Sequence, residues 1–345
     1  MCLSEAKGMD ITMQFSLIIP AKNAEDTIFT TLMSVINHAD IEYEVIVVDD
    51  HSTDETSSIV LRLAKQNSRI RYYISSGNGV SSARNVGIEK ARGKHLIFID
   101  ADDQLENDAL YNLARHVERN AESDIIFSGY IRVSEDNEII KRFSYEYVEG
   151  YGQNILPLYL NKVSYTHLGA FCFRKEFIEK NKILFQDYDY AEDIVFVSQA
   201  LFFSDSVSCL RKETYRWTLR QGSVLYSNTL NKFNSLKSLG YLYAFLKQKQ
   251  CKDPHIYNAV GNHYAMLLLD TVTSLLWMGR SVNEIASAVE ENVKWDILPN
   301  FVNQSKKVRK GLFFLKHFKL PYLKYCKRHY VPYNFRKKGI KTYER

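Results

Sequence analysis

Three carboxylates fall within four positions directly after a short apolar run. The run is His95–Ile99, and Asp100, Asp102 and Asp103 follow it. Carboxylates this close repel and raise one another's pKa unless a cation neutralises them. Carboxylate oxygens suit Mg²⁺ or Mn²⁺, which commonly share coordination with substrate phosphates. The three carboxylates therefore predict a divalent-metal site, and helix capping by Asp102 or Asp103 is the alternative interpretation.

A second acidic pair follows another apolar run. Asp49 and Asp50 come directly after Tyr43–Val48. A carboxylate beyond a strand end can accept hydrogen bonds from a nucleotide base or ribose. The alternative is local, because Ser52 or Thr53 would cap a following helix well. Both interpretations can hold together, with the hydroxyls capping and the carboxylates facing a ligand.

A glycine turn, residues 77–79, opens a helical segment that contains Arg84. Free N–H groups at a helix N-terminus favour anions, and an arginine one turn later could face a phosphate. The turn matches neither a GxxxxGK[ST] phosphate loop nor a GxGxxG fingerprint. The alternative is a plain turn with a surface arginine.

Two further segments carry groups that could act on a sugar or a phosphate. Glu192 and Asp193 stand near a helix start, where an acid is favourable without any other role. A carboxylate there could also serve as a general base on an acceptor hydroxyl. Arg216 and Arg220 precede a turn and suit phosphate contact, or else point to solvent from a strand.

The elements that must position these residues alternate between strand and helix. Strands of this kind with intervening helices indicate βαβ units, a parallel sheet and an α/β fold. Ligands of such sheets bind beyond the carboxyl ends of the strands, where both acidic clusters stand. The predicted strands are Phe15–Pro20, Tyr43–Val48, Ile70–Ile74 and His95–Ile99, and the predicted helices are Ala24–Asn37, Asp54–Lys65, Val80–Ala91 and Asn107–Arg119.

The rest of the chain changes character twice. Longer strand-like runs span residues 124–147, with a hairpin turn at Asp136 and Asn137. Signals are almost all helical from Asn231 onward. Further segments predicted are a helix Ala191–Phe203, a strand Glu213–Leu219, and helices Asn231–Leu246, Ile256–Trp277 and Val282–Asn292.

The charge distribution and the cysteines limit the classes of protein to which this chain could belong. The net charge of +5 combines a tail, residues 306–345, with 14 basic residues and one acid, and a remainder with 31 basic and 39 acidic residues. Five scattered cysteines without a CxxC pair argue against a disulfide framework or zinc site and suit a reducing cytoplasm. No signal-peptide pattern opens the sequence. The stretch Ala265–Met278 contains Asp270 and is too short to span a bilayer, which favours a buried helix.

Together these segments resemble the inverting glycosyltransferases of family 2, which have the GT-A (nucleotide-diphospho-sugar transferase) fold. The resemblance covers about residues 15–225 and implies a mostly parallel central sheet followed by a helical C-terminal region. The matching motifs are Ser16–Asn23, Val45–Asp54, Ser81–Gly87, Ala91–Asp103 and Ala191–Asp193.

The resemblance implies a role for each position. The donor would be a nucleotide sugar, most simply a UDP-sugar, and the acceptor a glycan or lipid-linked hydroxyl. Asp103, with Asp102 or Asp100, would hold Mn²⁺ or Mg²⁺, and Asp193 would be the general base with Glu192 beside it. The residues implied to bind the nucleotide sugar are Pro20, Ala21, Asn23, Asp49, Asp50, Arg84, Asp100, Asp102 and Arg220.

Two departures from the family pattern bear on these roles. His51 stands where the family commonly has Gly or Asn, which leaves both neighbouring carboxylates in place. The Gln-x-x-Arg-Trp signature of processive synthases is incomplete, because Glu213 stands where Gln would precede Arg216 and Trp217. Transfer of a single sugar is therefore favoured.

The predicted organisation is an N-terminal extension (1–14), a catalytic domain (15–225), a helical region (226–305) and a basic, aromatic-rich tail (306–345). Within the catalytic domain, residues 15–120 would bind the nucleotide and 121–225 the acceptor. The tail suits an anionic membrane surface, or else packs on the body. The predicted location is cytoplasmic or at the inner face of the cell membrane.

Two other classes of protein compete with this interpretation. A sugar-phosphate nucleotidyltransferase also needs a metal and a nucleotide pocket, but it normally has a Gly-rich basic loop where this chain has residues 20–23. A non-catalytic nucleotide- or nucleic-acid-binding protein would use the tail against phosphates. The acidic body is a poor surface for a phosphate backbone, so no nucleic-acid partner is expected.

Overall fold

The chain folds into two compact units that alternate along the sequence. The first comprises the described parts of residues 1–150, 167–184 and 204–219, and the second those of 151–166, 185–203 and 220–345. The predicted boundaries at residues 120, 225 and 305 stay predictions. The computed structural model describes residues 13–36, 38, 41–144, 149–161, 167–187, 190–220, 229–298 and 306–329.

The first unit is built on a mixed sheet of nine strands in the described residues. The strand order is β3-β2-β1-β4-β8-β6-β9-β5, with β7 beside β6. The strands are β1 (Phe15–Ala21), β2 (Tyr43–Asp49), β3 (Ile70–Ile74), β4 (His95–Phe98), β5 (Gln104–Leu105), β6 (Ile125–Ser134), β7 (Ile139–Phe143), β8 (Phe171–Arg174) and β9 (Val207–Leu219).

Twelve α-helices are assigned in the described residues. Five of them (α1–α4 and α6) belong to the first unit and the other seven to the second. They are α1 (Ile28–Val35), α2 (Thr56–Gln66), α3 (Val80–Lys90), α4 (Ala109–Arg119), α5 (Gly152–Asn161), α6 (Lys175–Lys180), α7 (Glu192–Phe203), α8 (Asn234–Gln248), α9 (Pro254–Trp277), α10 (Val282–Asn292), α11 (Lys306–His317) and α12 (Lys319–His329).

The predicted parallel arrangement of the first four strands is confirmed. β1 pairs in parallel with β2 and with β4, and β2 pairs in parallel with β3. Every residue of β1 and β2 is buried, as their nearly continuous apolar sequences require of strands covered on both faces. Helix α3 approaches β1 so closely that a Cβ on Gly87 would lie 2.3 Å from the Ile18 side chain.

Beyond β4 the sheet becomes mixed. β8 is antiparallel to both β4 and β6, whereas β6 and β9 run parallel. The predicted turn at Asp136 and Asn137 is confirmed, because it joins the antiparallel strands β6 and β7. Asn137 adopts a φ of 63°, a left-handed conformation that asparagine tolerates better than most residues. The predicted strand Glu213–Leu219 is the last part of β9.

The second unit is helical in its described residues. The predicted helices near residues 191–203, 231–246, 256–277 and 282–292 are confirmed as α7, α8, α9 and α10. The side chain of Asp253 accepts a hydrogen bond of 2.8 Å from the His255 N–H, and Pro254 occupies the first turn, so the start of α9 is fixed by its sequence.

The apolar stretch Ala265–Met278 lies almost wholly within α9, and eight of its residues are buried. Ala265, Leu268, Val272 and Leu275 have no exposed surface. The predicted buried helix is therefore confirmed. Among the helices of the described ranges, none combines the length and the apolar character that crossing a membrane requires.

Candidate active site

The carboxyl ends of β1, β2 and β4 lie side by side. The Asp50 N–H donates to the Ala21 carbonyl at 2.8 Å, and the Ile99 N–H donates to the Ile18 carbonyl at 2.9 Å. The parallel pairing thus continues to the strand ends and brings Asp50 and the residues after Ile99 to the same sheet edge. This is the edge at which open parallel sheets bind their ligands.

Asp103 is held in a buried position beside β9. Its side chain is 1% exposed, and its two oxygens accept hydrogen bonds of 2.7 Å from the Tyr215 hydroxyl and the Thr218 N–H. The chain that follows Asp103 forms β5, which pairs with β9 at Tyr215. That pairing brings together groups 112 residues apart in sequence.

Neither Asp102 nor Asp103 caps a helix, so that alternative interpretation is wrong. The next helix, α4, begins at Ala109 with Asp108 at its N-cap position. The short strand β5 intervenes because its pairing with β9 satisfies the backbone there instead.

Asp100 is paired with the arginine of the glycine turn. A terminal nitrogen of Arg84 donates to Asp100 Oδ1 at 2.9 Å, and the Asp100 N–H donates to the Tyr215 hydroxyl at 3.2 Å. Burial alone would raise the pKa of Asp100, but the electrostatic interaction with Arg84, joined in acid by that with protonated His167, outweighs it and lowers that pKa. Arg84 is 4% exposed, so the alternative of a surface arginine is wrong.

His167 completes this cluster and was missed by the sequence analysis. Its Nε2 lies 3.9 Å from Asp100 Oδ2 and 3.8 Å from Asp103 Oδ2. The ring stacks on Tyr215 with centroids 4.9 Å apart and lies 5.6 Å from the Trp217 ring. Burial lowers the pKa of His167 to about 4, despite the opposing effect of Asp100. The imidazole is therefore neutral near pH 7, the form that binds metals.

The donor atoms fit a divalent cation. Asp100, Asp103 and His167 each offer a ligand atom, and these atoms lie within 4.8 Å of one another. Burial, Asp100 and Asp102 together raise the pKa of Asp103 well above its usual range, which is a repulsion that a cation would relieve. Two carboxylates and a neutral imidazole suit Mn²⁺ better than Mg²⁺, which prefers oxygen ligands alone.

Of the two predicted partners of Asp103, Asp102 and Asp100, only Asp100 belongs to this grouping among the described residues. Asp102 is half-buried, and its charge acts on Asp103. The signal for His167 was absent from the sequence, because it stands 64 positions after Asp103 and outside every motif.

Asp50 and Asp49 connect the loops after β1, β2 and β3. Both oxygens of Asp50 accept from the Gly79 N–H at 3.0 Å, and Lys22 Nζ donates to one of them at 2.9 Å. Asp49 accepts from the Ser52 N–H at 2.9 Å and from the Tyr72 hydroxyl at 2.7 Å. Both carboxylates are buried, and these hydrogen bonds stabilise the loops around them.

The predicted cap at Ser52 or Thr53 is wrong. Helix α2 begins at Thr56, after a Glu55 that makes no side-chain cap. The Ser52 hydroxyl instead accepts from the Asn23 N–H, and Asn23 Oδ1 accepts from the Thr53 N–H, both at 2.9 Å. These bonds join the loop after β1 to the loop after β2 and place Asn23 beside the second acidic pair.

The backbone conformation of the loops after β1 and β2 explains the residue types at positions 23 and 51. Asn23 and His51 adopt φ values of 47° and 57°. Asparagine and histidine are among the non-glycine residues enriched in that left-handed region. His51 thus keeps the turn that glycine or asparagine would make, and Pro20 and Ala21 stand buried at the end of β1.

The remaining predicted residues lie in the second unit. Glu192 and Asp193 form the first turn of α7, both half-buried, and Asp193 Oδ1 accepts from the Ile194 N–H at 2.8 Å. Ala191, directly before them, has a φ of 59°, which strains a non-glycine residue. Arg220 is half-buried directly after β9.

Arg216 makes its side-chain contacts within the first unit. Arg216 lies on β9 of the first unit, where Nε pairs with Glu106 and a terminal nitrogen donates to Asn137 Oδ1 at 2.7 Å. The part of the predicted segment at residues 221–223, and the predicted neighbours of Asp193 at 188–189, lie outside the described residues.

Comparison with known families gives one consistent result. Residues 16–181 match the family model described as glycosyl transferase family 2. The uncharacterized glycosyltransferase EpsJ of Bacillus subtilis is 29% identical over 210 residues, which are 58% of this chain and 59% of EpsJ. The poly(ribitol-phosphate) beta-N-acetylglucosaminyltransferase TarS of Staphylococcus aureus is 28% identical over 221 residues, 62% of this chain and 37% of TarS. The chain thus covers less than two thirds of either relative.

Solved structures show the same fold. S. aureus TarS 1–349 in complex with UDP-GlcNAc has a TM-score of 0.73 at 21% identity, over 92% of this chain and 91% of that one. The mannosyltransferase PcManGT of Pyrobaculum calidifontis, in complex with GDP-Man and Mn²⁺, has a TM-score of 0.53 at 16% identity, over 92% and 87%. The predicted α/β fold of the nucleotide-diphospho-sugar transferase type is confirmed.

Proposed function

Because the chain belongs to glycosyltransferase family 2, we propose that it moves a single sugar from a UDP-sugar to a hydroxyl of a glycan or lipid-linked acceptor, with inversion at the anomeric carbon. The observation that carries the proposal is the cluster of Asp100, Asp103 and His167 at the strand edge that β1 and β2 share. A metal-compatible group at that edge suits a nucleoside diphosphate.

The donor nucleotide would lie over the ends of β1 and β2. Pro20, Ala21 and Asn23 would line the base and ribose, with Asp50 and Asp49 behind them. A UDP-sugar is favoured because TarS 1–349, with the same fold, was solved with UDP-GlcNAc. Asp50 is fixed by Gly79 and Lys22, so its position would need little rearrangement when a donor binds.

The cation would be held by Asp100, Asp103 and His167, and Mn²⁺ is the preferred candidate. When bound, it would supply positive charge to the departing diphosphate. The protein's own residues would prepare the site: Arg84 neutralises part of the Asp100 charge, and Tyr215 fixes the orientation of Asp103. Arg220 is proposed as a second cation for the diphosphate.

Asp193 is proposed as the general base, with Glu192 beside it. It would remove the proton of the acceptor hydroxyl, whose oxygen then bonds to the anomeric carbon while the bond to the diphosphate oxygen breaks. The electron pair of that bond leaves with the nucleoside diphosphate. Attack from the face opposite the leaving group inverts the configuration. The reaction is proposed for the cytoplasm, which the cysteine pattern supports.

The test combines donor selection with two substitutions. Nucleotide sugars are screened by thermal shift and by release of nucleoside diphosphate, with and without Mn²⁺. Asp193→Asn is expected to lose turnover by at least about a thousandfold while donor binding stays within about twofold. Asp103→Asn is expected to lose both Mn²⁺ dependence and donor binding. Asp296→Asn, an exposed aspartate of the second unit, is the matched control.

Two results would overturn the proposal. Near-normal turnover of Asp193→Asn would remove that residue as the base. Formation of a nucleotide sugar from a nucleoside triphosphate and a sugar phosphate would instead make the protein a nucleotidyltransferase, the alternative that the comparisons do not favour.

A further inference from the structure

Helices α11 and α12 expose a large apolar surface. Their inward residues Leu312, Leu315, Leu323 and Cys326 are buried in the second unit. We name the exposed surface of residues 306–329 the outer face; its large apolar residues are Phe313, Phe314, Phe318, Leu320 and Tyr325, of which Phe313 is 46% and Phe318 51% exposed. An amphipathic helix normally places charge on this side, so its apolar residues call for an explanation.

The three phenylalanines form one contiguous patch. Ring centroids of Phe313 and Phe314 are 5.7 Å apart, those of Phe314 and Phe318 are 5.9 Å apart, and those of Phe313 and Phe318 are 6.2 Å apart. Single exposed apolar residues are ordinary, but contiguous aromatic patches mark interaction surfaces.

The same helices carry only positive formal charge. Residues 306–329 contain seven lysines, two arginines and no acid. Lys319 is paired with Glu290, whereas Lys310, Lys324 and Lys327 are exposed beside the aromatic patch in the sequence. A partner for this surface must therefore be both anionic and able to accept aromatic rings.

We propose that the outer face of α11 and α12 binds the surface of an anionic phospholipid bilayer. Phenylalanine rings would enter the boundary between headgroups and acyl chains, and the lysines would face lipid phosphates. A second copy of this chain fits less well, because two such faces would bring like charges together. This inference concerns the second unit and does not depend on the transfer reaction.

The experiment is vesicle co-sedimentation of the full chain. Vesicles of phosphatidylcholine alone are compared with vesicles containing about a quarter phosphatidylglycerol, at low salt and at about 0.5 M salt. The wild-type protein is expected to pellet with the anionic vesicles, at least about tenfold more tightly than with the neutral ones, and less at high salt.

Three variants separate the contributions. Phe313→Ser combined with Phe314→Ser and Phe318→Ser removes the patch and is expected to reduce binding at both salt concentrations. Lys310→Glu with Lys324→Glu is expected to abolish the preference for phosphatidylglycerol. Ile139→Ser with Ile140→Ser removes similarly exposed apolar residues from β7 and should bind as the wild type does. Circular dichroism confirms that each variant retains its helices.

The proposal is overturned if the wild-type protein does not pellet with anionic vesicles at low salt. It is equally overturned if the triple serine variant binds them as tightly as the Ile139/Ile140 control. Light scattering identifies the other occupant: a wild-type dimer that the triple serine variant converts to a monomer, without vesicle binding, would assign the face to a second copy.

Discussion

The hydroxyl of Tyr215 donates a 2.7 Å hydrogen bond to Oδ2 of Asp103 and accepts one of 3.2 Å from the N–H of Asp100. One phenol therefore fixes both ends of the acidic turn. Burial raises the pKa of Asp103. The hydrogen bond from Tyr215 compensates part of the free-energy cost of burying that carboxylate. Tyr215 itself is fully buried, and burial with the charge of Asp103 raises its pKa as well, so the phenol stays protonated as a donor.

Tyr215→Phe is expected to lower the affinity for Mn²⁺ with only a moderate loss of unfolding free energy. Loss of a hydrogen bond to a buried charged group costs on the order of 1–3 kcal/mol of unfolding free energy. The freed carboxylate would also lose its orientation. We expect the Mn²⁺ concentration for half-maximal activity to rise about tenfold, measured by nucleoside diphosphate release across a Mn²⁺ titration.

Tyr72→Phe is the matched control for that substitution. Its hydroxyl also donates a 2.7 Å bond to a buried aspartate, Asp49, outside the metal-compatible group. It should therefore cost similar stability without altering the Mn²⁺ titration. Equal shifts for both variants would mean that the effect of Tyr215 is on stability alone.

His167→Ala tests the imidazole as a third ligand. Removing one of three ligands is expected to lower the affinity for Mn²⁺ at least about tenfold, and affinity for Mg²⁺ less, because Mg²⁺ prefers oxygen ligands. Mn²⁺ binding to the free protein is followed by electron paramagnetic resonance, which needs no turnover. His116→Ala, a half-buried histidine of α4 that contacts Ser208, is the control. Unchanged Mn²⁺ affinity in His167→Ala would exclude the imidazole from the ligand set.

Site residues that stand directly after a strand could be predicted from the sequence, whereas residues that only the tertiary fold brings to the site could not. Asp49, Asp50 and Asp100 follow apolar runs directly, so strand-end geometry alone assigned them to one edge. Tyr215 and His167 reach Asp103 only through the pairing of β5 with β9 and the ring stacking between them, contacts that no local pattern encodes. The capping errors share that cause, because tertiary hydrogen bonds took the groups that local rules assigned to helix ends.

Acid should destabilise the protein through its buried histidines. Burial lowers the pKa of His263 to about 3 and that of His95 to about 4. Between those values and about 6.5, the usual pKa of histidine, the unfolded chain binds protons that the folded chain does not. The contribution of these neutral histidines to the unfolding free energy is therefore complete above about pH 6.5. As the pH falls below that value, the unfolding free energy decreases by up to about 1.4 kcal/mol per pH unit for each histidine.

His263→Gln should reduce the pH dependence of the unfolding free energy by the contribution of one proton. The measurement is urea unfolding at several pH values between about 4 and 7, the window set by these pKa values. His255→Gln, at an exposed position of the same helix, is the control. If the slopes of His263→Gln and wild type coincide, the buried imidazole does not contribute to acid sensitivity.

Gly169→Ala tests how tightly the Tyr215 ring is held. A Cβ at residue 169 would lie 2.1 Å from that ring, so the ring or the Leu168–Ala170 turn must move. Overpacking of this kind typically costs about 1–3 kcal/mol, and here it would also displace the hydroxyl that orients Asp103. We expect a lower melting temperature together with a higher Mn²⁺ concentration for half-maximal activity. Gly240→Ala is the control, because a Cβ there meets nothing closer than 3.5 Å and alanine favours the α8 helix by up to about 1 kcal/mol. A stable, fully active Gly169→Ala protein would show that Tyr215 can shift without cost to the site.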